Sequence, residues 1–149
     1  MKTDLDKAKE IFSESDYTCV LCKGERVYTA TEHGVKPLLA FIDNGTDLRG
    51  FCAADRIVGK AAALLYALLG VDKVYSPVMS EAGIDTLVNN GITPLYDTCV
   101  KEIRNRTDTG LCPMEEAVQD ISDPHKGLSA IKERIRQMMA SRAERVKGD

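Results

Sequence analysis

The sequence predicts an α/β domain on three patterns. Two short β-rich runs flank a glycine at hairpin spacing, and a long segment from about Ala53 to Leu69 is apolar on nearly every face. After it come a strand, a helix and a second strand, the order of a βαβ crossover. The chain has 149 residues, 44% apolar and 29% charged, the length of one ordinary domain. A chain of this size hides roughly 70% of the surface its unfolded form exposes, so it needs neither disulfides nor a structural metal to stay folded. No repeat, low-complexity tract or linker divides it. Residues 1–149 read as one unit, with a core over about residues 17–122 and an amphipathic helix over about residues 126–147.

Asp4 to Glu14 sets Leu5, Ala8, Ile11 and Phe12 on one face with charges opposite, which predicts a short amphipathic helix. Tyr17 to Cys22 and Arg26 to Ala30 are the β-rich runs, joined through Lys23-Gly24-Glu25. Gly34-Val35-Lys36-Pro37 opens a second helix, with Pro37 in the first turn where a missing N–H costs nothing, and Asp43-Asn44-Gly45 closes it. Ala53 to Leu69, ended by Gly70, reads as the longest helix and as buried all round. Val74 to Pro77 follows as a strand, Glu81 to Asn89 as a helix with Gly91 past its end, and Ile92 to Tyr96 as another strand. Residues 99–106 fit either an edge strand or a helical turn. Thr107 to Gly110 is a loop, and Cys112-Pro113 opens a helix with Glu115 and Glu116 in its first turn. Asp123-Pro124 starts the final helix, in which Leu128, Ile131, Ile135, Met138 and Val146 recur every three to four residues. That stripe either docks on the domain's own sheet or pairs with a second copy in a homodimer.

Twenty Lys and Arg against 23 Asp and Glu give a net charge of -3, which argues against a nucleic-acid binder that works by neutralising phosphates. The charge is uneven: residues 1–125 sum to -7 and residues 126–149 to +4. No apolar stretch follows Lys2, so no secretory signal is expected, and the most apolar run, Ala61 to Val71, falls short of the about 20 residues of a bilayer span. Five cysteines, Cys19, Cys22, Cys52, Cys99 and Cys112, are an odd number without a framework. They read as reduced thiols of a soluble, cytoplasmic protein that engages no membrane.

Cys19-Val20-Leu21-Cys22 has the spacing of half a zinc ribbon, yet no second pair accompanies it, and the only histidines are His33 and His125. Strand positions three apart also face opposite ways, so no metal and no cofactor is expected. Gly59-Lys60 fails as a phosphate loop, because Ala54 stands where its first glycine belongs and Ala61 where Ser or Thr would hold magnesium. A mid-helix position would remove the nest of amides as well. Gly59 reads instead as a thin spot for helix-to-sheet approach, and Lys60 as a snorkelling or paired cation. Cys112, just ahead of a proline-initiated helix, sits where the dipole favours a thiolate, so it is a candidate nucleophile as well as a cap; Glu115 and Glu116 oppose the charge. Asp55 is either a dipole-complementing acid or a group facing the crevice where α/β proteins hold ligands.

The order of hairpin, buried helix, strand, helix and strand resembles the cytidine deaminase-like fold, a three-layer α/β/α arrangement around a mixed sheet. Residues 34–115 resemble a small prokaryotic family of that superfamily with no assigned activity. The resemblance lies in Gly34-Val35-Lys36-Pro37-Leu38-Leu39, Ala54-Asp55-Arg56-Ile57-Val58-Gly59-Lys60-Ala61-Ala62-Ala63 and Thr109-Gly110-Leu111-Cys112-Pro113-Met114-Glu115. In zinc deaminases a His/Cys-x-Glu starts one helix and a Pro-Cys-x-x-Cys the next. Laid on this chain, those patterns make Ala53, Val78 and Glu81 the ligand positions and put Asp55 in place of the glutamate. In that register two of three ligands lack a donor atom, which excludes zinc-dependent deamination. The resemblance implies a pocket without zinc, lined by Asp55, Lys60, Ser76, Ser80 and Glu81, that binds a nucleotide-like or other small polar ligand. Two rivals stand beside it. One is an enzyme using Cys112 as nucleophile, or Asp55 and Lys60 as acid and base. The other is a non-catalytic interaction module using the basic final helix, with Lys132, Arg134, Arg136, Arg142, Arg145 and Lys147.

Overall fold

The computed structural model describes residues 2–147, with side chains described through Glu144. Val146 of the apolar stripe and Arg145 and Lys147 of the basic set therefore lie outside the described side chains. In chain order the elements are α1 (Asp4–Glu14), β1 (Cys19–Lys23), β2 (Arg26–Ala30), α2 (Lys36–Asp43), β3 (Cys52–Asp55), β4 (Ile57–Val58) and α3 (Lys60–Leu69). There follow β5 (Lys73–Ser80), α4 (Glu81–Asn89), β6 (Thr93–Val100), α5 (Pro113–Ala117) and α6 (Pro124–Lys147).

The strands form one six-stranded mixed sheet. β1 lies between β2 and β3 and is antiparallel to both, with Lys23 opposite Arg26 beside the turn and Leu21 opposite Ala53. β3 and β4 run in succession along one edge of β5, parallel to it, with Ala54 opposite Tyr75 and Ile57 opposite Val78. β6 lies parallel on the other edge of β5, with Ser76 opposite Tyr96. The break between β3 and β4 falls at Arg56, which this register sets opposite Pro77. Proline has no N–H to give the ladder, so a strand paired on both edges loses a rung there. Ser76 patches the gap, its hydroxyl donating to the Val78 carbonyl at 2.8 Å and accepting from the Val78 N–H at 3.2 Å.

The expected helix over Ala53–Leu69 is thus three elements, the end of β3, β4 and α3. Its first third is strand, and α3 starts only at Lys60, with Gly59 as the N-cap in extended conformation. The reason is an ambiguity of pattern: a run apolar on every side suits a parallel strand covered on both faces as well as a buried helix. Every residue of β3 is buried. The other departures are smaller. β5 continues through Pro77 to Ser80, and residues 99–100 finish β6 as strand. Beyond them lies a loop closed by an Arg104–Leu111 bridge.

Helices cover both faces. α1 sits on β1, β3 and β5 over a small apolar cluster of Ala8, Val20, Cys22 and Ala54, joined by Phe12 and Tyr75. The opposite face carries the main core, where Leu21, Ala53, Val58 and Met79 of the sheet meet Leu38 of α2, Leu64 and Leu65 of α3 and Leu87 of α4. The start of α4 lies hard against the β4–α3 turn: a Cβ on Gly83 would come 2.8 Å from the Val58 carbonyl oxygen. The final helix docks on its own domain, but against α3 and not against the sheet. Gly127 permits the close crossing, since a Cβ there would lie 2.8 Å from Leu64 Cδ1, and Ile131 is fully buried.

Replacing Ile131 with Ala is therefore expected to cost about 2–5 kcal/mol in denaturant unfolding. Met139→Ala, at a side chain that is 64% exposed on α6, is expected to move stability by no more than about 0.5 kcal/mol. Equal small effects at both positions would show that α6 does not bury its stripe on α3.

Candidate functional site

In open α/β sheets the crevice beyond the carboxyl ends of the parallel strands is where ligands are held. Two clefts open there, and both are bordered by Glu115. The larger, of about 750 Å³, has Asp55 at the end of β3 and gains further walls from His33–Val35, Arg56, residues 103–107, Cys112–Met114 and Arg142. The smaller, of about 400 Å³, takes Lys60, Ser80, Asp85, Lys101 and Glu102.

Asp55 is 8% exposed. Its Oδ2 accepts the Tyr66 hydroxyl proton at 2.6 Å, and Tyr66 Oη lies 3.4 Å from Cys19 Sγ. With the tyrosine proton given to Asp55, the thiol is left as the donor of the second bond, so a chain runs from Cys19 through Tyr66 to the cleft. Burial pushes the Asp55 carboxyl up to about 7, while the Tyr66 hydroxyl and the Arg56 and Ile57 backbone N–H groups restrain the rise. A carboxyl at the cleft floor that titrates near neutrality is the kind of group found at functional sites. Burial also raises Tyr66 and Cys19, so neither competes with Asp55 as the ionising group of the chain.

Glu115 divides the two clefts. Its Oε1 accepts from Lys60 N and its Oε2 from Ala61 N, each at 2.8 Å, so one carboxylate satisfies two of the orphan amides at the N-terminus of α3. Burial raises its pKa; the Ala61 and Lys60 amides and the Lys60 charge pull it down. Gly59 makes the approach possible, since a Cβ there would collide with the Glu115 carboxylate. Gly59 is therefore an N-cap glycine and not a mid-helix thin spot. Lys60 turns into the smaller cleft, donating from Nζ to the Gln119 carbonyl at 3.0 Å.

The arginines of the larger cleft fall into two groups. Arg104 is held by Asp108 at 2.7 Å and Glu102 at 2.8 Å, and Arg56 donates to the Asp16 carbonyl at 3.3 Å. Arg106 and Arg142, with His33, have no ion pair or side-chain hydrogen bond among the described residues. The rest of the basic helix is largely spent within the chain: Lys132 pairs with Asp43 at 2.7 Å, Arg134 with Glu116 at 3.1 Å, and Arg136 with Glu133.

The candidate residues of the sequence do not form one pocket. Asp55 and Cys112 share the larger cleft, whereas Lys60 and Ser80 line the smaller one. Ser76 is buried in its local bonds and Glu81 is an exposed first-turn residue of α4; neither borders a cleft. Ser80 caps α4, its hydroxyl accepting from Gly83 N at 3.0 Å. Cys112 precedes the five-residue α5 and its thiol makes no capping bond. The cysteines of the Cys19-x-x-Cys22 motif lie in the two separate apolar clusters.

The deaminase register also fails. Ala53 and Val78 are strand residues, and the helix that should begin at Ala53–Asp55 begins at Lys60, so the exclusion of zinc drawn from that register falls with it. Among the described residues no three His, Cys, Asp or Glu side chains group so as to hold a metal ion. No described helix is long and apolar enough to cross a membrane. Tyr66, Arg106, His33 and the clasp of Glu115 were not foreseen as site groups. The glycine and proline of the Thr109–Glu115 block mark a shaped segment, but nothing in sequence links it to Lys60, fifty-five residues away.

A family model described as "TM1506: Domain of unknown function (DUF1893)" matches residues 7–135. No curated protein matches the chain. Among solved structures, a DUF1893 family protein (TM1506) from Thermotoga maritima superposes with a TM-score of 0.81 at 22% identity, over 90% of this chain and 92% of that one, which shows a shared fold. The chain belongs to the DUF1893 family.

Proposed function

We propose that this protein is a small-molecule-binding domain of cytidine deaminase-like fold, and that the larger cleft holds a nucleotide-like or similar small ligand with an anionic end and hydrogen-bond donors. One observation carries this: Asp55 on the cleft floor shares the cleft with Arg106 and Arg142, two cations with no partner among the described residues. The ionised carboxylate takes donors from the ligand, and the arginines take its anion, in a volume of the usual size for small-molecule sites. The order of hairpin, strand, helix, strand, helix and strand supports the fold analogy; the ligand class rests on the charges of the cleft.

Thermal unfolding with nucleosides, nucleoside monophosphates and inorganic phosphate tests this reading. A nucleotide at a hundred times its dissociation constant is expected to add about 2.7 kcal/mol of stability. The gain should vanish in the Arg106→Ala/Arg142→Ala double variant. Affinity should also rise as pH passes upward through about 7, where Asp55 ionises, and lose that dependence in Asp55→Asn. No shift with any of these compounds, or a shift unchanged by the double substitution, would refute it.

Ionisation of Asp55 also has a stability signature. Burial raises its pKa in the folded chain above that of an ordinary aspartate, so the folded state holds the proton more tightly. The stabilisation is complete at low pH and is lost as pH rises through about 7, a loss on the order of 4 kcal/mol at full ionisation. Denaturant unfolding between pH 4 and pH 8 should show this fall in the wild type and not in Asp55→Asn. Parallel profiles would place Asp55 in contact with water.

The shared cleft of Asp55 and Cys112 supports a second reading, an enzyme in which Cys112 attacks and Asp55 accepts a proton. Lys60 lines the other cleft and is not part of it. Under this reading iodoacetamide should alkylate Cys112 far faster at neutral pH than the exposed Cys99. Similar rates at the two thiols would remove it.

A further inference from the structure

Cys22 and Cys52 stand directly opposite one another in the antiparallel ladder of β1 and β3. Residues so paired project from the same face of the sheet, here the face under α1, where Cys22 belongs to the small apolar cluster. The phase of the ladder follows from one bond. Arg56 N donates to the Thr18 carbonyl, which makes Thr18–Arg56 a hydrogen-bonded pair, and by alternation Val20–Ala54 and Cys22–Cys52 are such pairs too. Cα atoms in a pair of this kind are about 5.5 Å apart, inside the roughly 4.4–6.8 Å that a disulfide spans. Both thiols are free, Cys22 fully buried and Cys52 5% exposed. Cys19 takes no part, being engaged with Tyr66 in the main core on the other face.

The cover over the pair is light. At this end α1 is tied to the β1–β2 turn by Lys7 Nζ donating to the Gly24 carbonyl at 2.6 Å and by the Asp4 carboxylate accepting from Gly24 N at 2.9 Å, both exposed bonds. Helix ends held by exposed bonds open locally at far less cost than global unfolding.

We propose that Cys22 and Cys52 are a redox modification site, closed to a cross-strand disulfide by a low-molecular-weight disulfide that reaches them when the start of α1 lifts. One cysteine, as thiolate, attacks the small disulfide, forming a mixed disulfide and releasing one small thiol. The second cysteine, as thiolate, displaces the other. The two electrons reduce the reagent's S–S bond, and the two protons given up by the cysteines end on the two released thiols. The bond ties β1 to β3 across the loop that carries β2 and α2. Cβ atoms of a hydrogen-bonded pair, about 5.5 Å apart, lie beyond the roughly 3.5–4.5 Å of a disulfide, so β1 and β3 must draw together locally to close it, and the bond is strained and reopened by a small dithiol.

The test treats the full chain with oxidised glutathione in native buffer, blocks remaining thiols, and reads intact mass and a peptide map. The expected product has lost two hydrogens, carries no adduct on Cys22 or Cys52, and yields a peptide joining them. Asp4→Ala, which frees one tie of α1, should speed its formation several-fold, and Cys52→Ala should leave Cys22 as a mixed disulfide. The proposal is overturned if Cys22 and Cys52 stay reduced while Cys99 and Cys112 carry glutathione, or if the peptide map joins a different pair. The wild-type map decides even if Cys52→Ala does not fold.

Discussion

A single carboxylate sets the shape of the cleft-bearing end of this protein. Glu115 lies on the first amides of α3, where the unpaired N–H groups and the helix dipole both favour negative charge. That bond anchors α5, and with it the end of the loop that leaves β6, to the helix at the centre of the core. It also forms the partition between the two clefts. The anion-binding potential of the α3 N-terminus is thus consumed inside the chain. The cations left bordering the larger cleft without a partner among the described residues are Arg106 of the loop after β6 and Arg142 of α6, and its buried acid is Asp55.

Asp55 owes its position to a defect in the sheet. Pro77 sits in β5, which is paired along both edges, and cannot supply a rung, so the chain opposite it breaks at Arg56. β3 ends at Asp55 and the carboxylate meets Tyr66 of the central helix. Burial then supplies the chemistry: the same desolvation that makes this acid costly to ionise brings its titration near neutrality.

Much of the fold was legible because its elements obey local rules. α1, β2, α2 and α4 carry their own periodicity, turn glycines or early prolines, and they stand on the residues the pattern gave them. Ala53–Val58 was not legible, because alanine and valine covered on both faces lose the periodicity that separates strand from helix. The candidate site suffered from that error directly. With α3 begun too early, Asp55 and Lys60 looked like neighbours on one helix, whereas Gly59 turns the chain between them and they face different clefts. Ser76 and Glu81 entered the pocket separately, through the deaminase resemblance and its strand-to-helix turn. Glu115 could not have been placed at all, since its partners are backbone amides, which a sequence does not distinguish.

The packing of α1 bears on how the chain is made. The helix is synthesised before every strand it covers, for its resting surface is assembled from β1, β3 and β5, the last of which ends at Ser80. The chain must therefore be synthesised through Ser80 before α1 has its whole resting surface, and until then part of its apolar stripe of Leu5, Ala8 and Phe12 is open to chaperones and to neighbouring nascent chains.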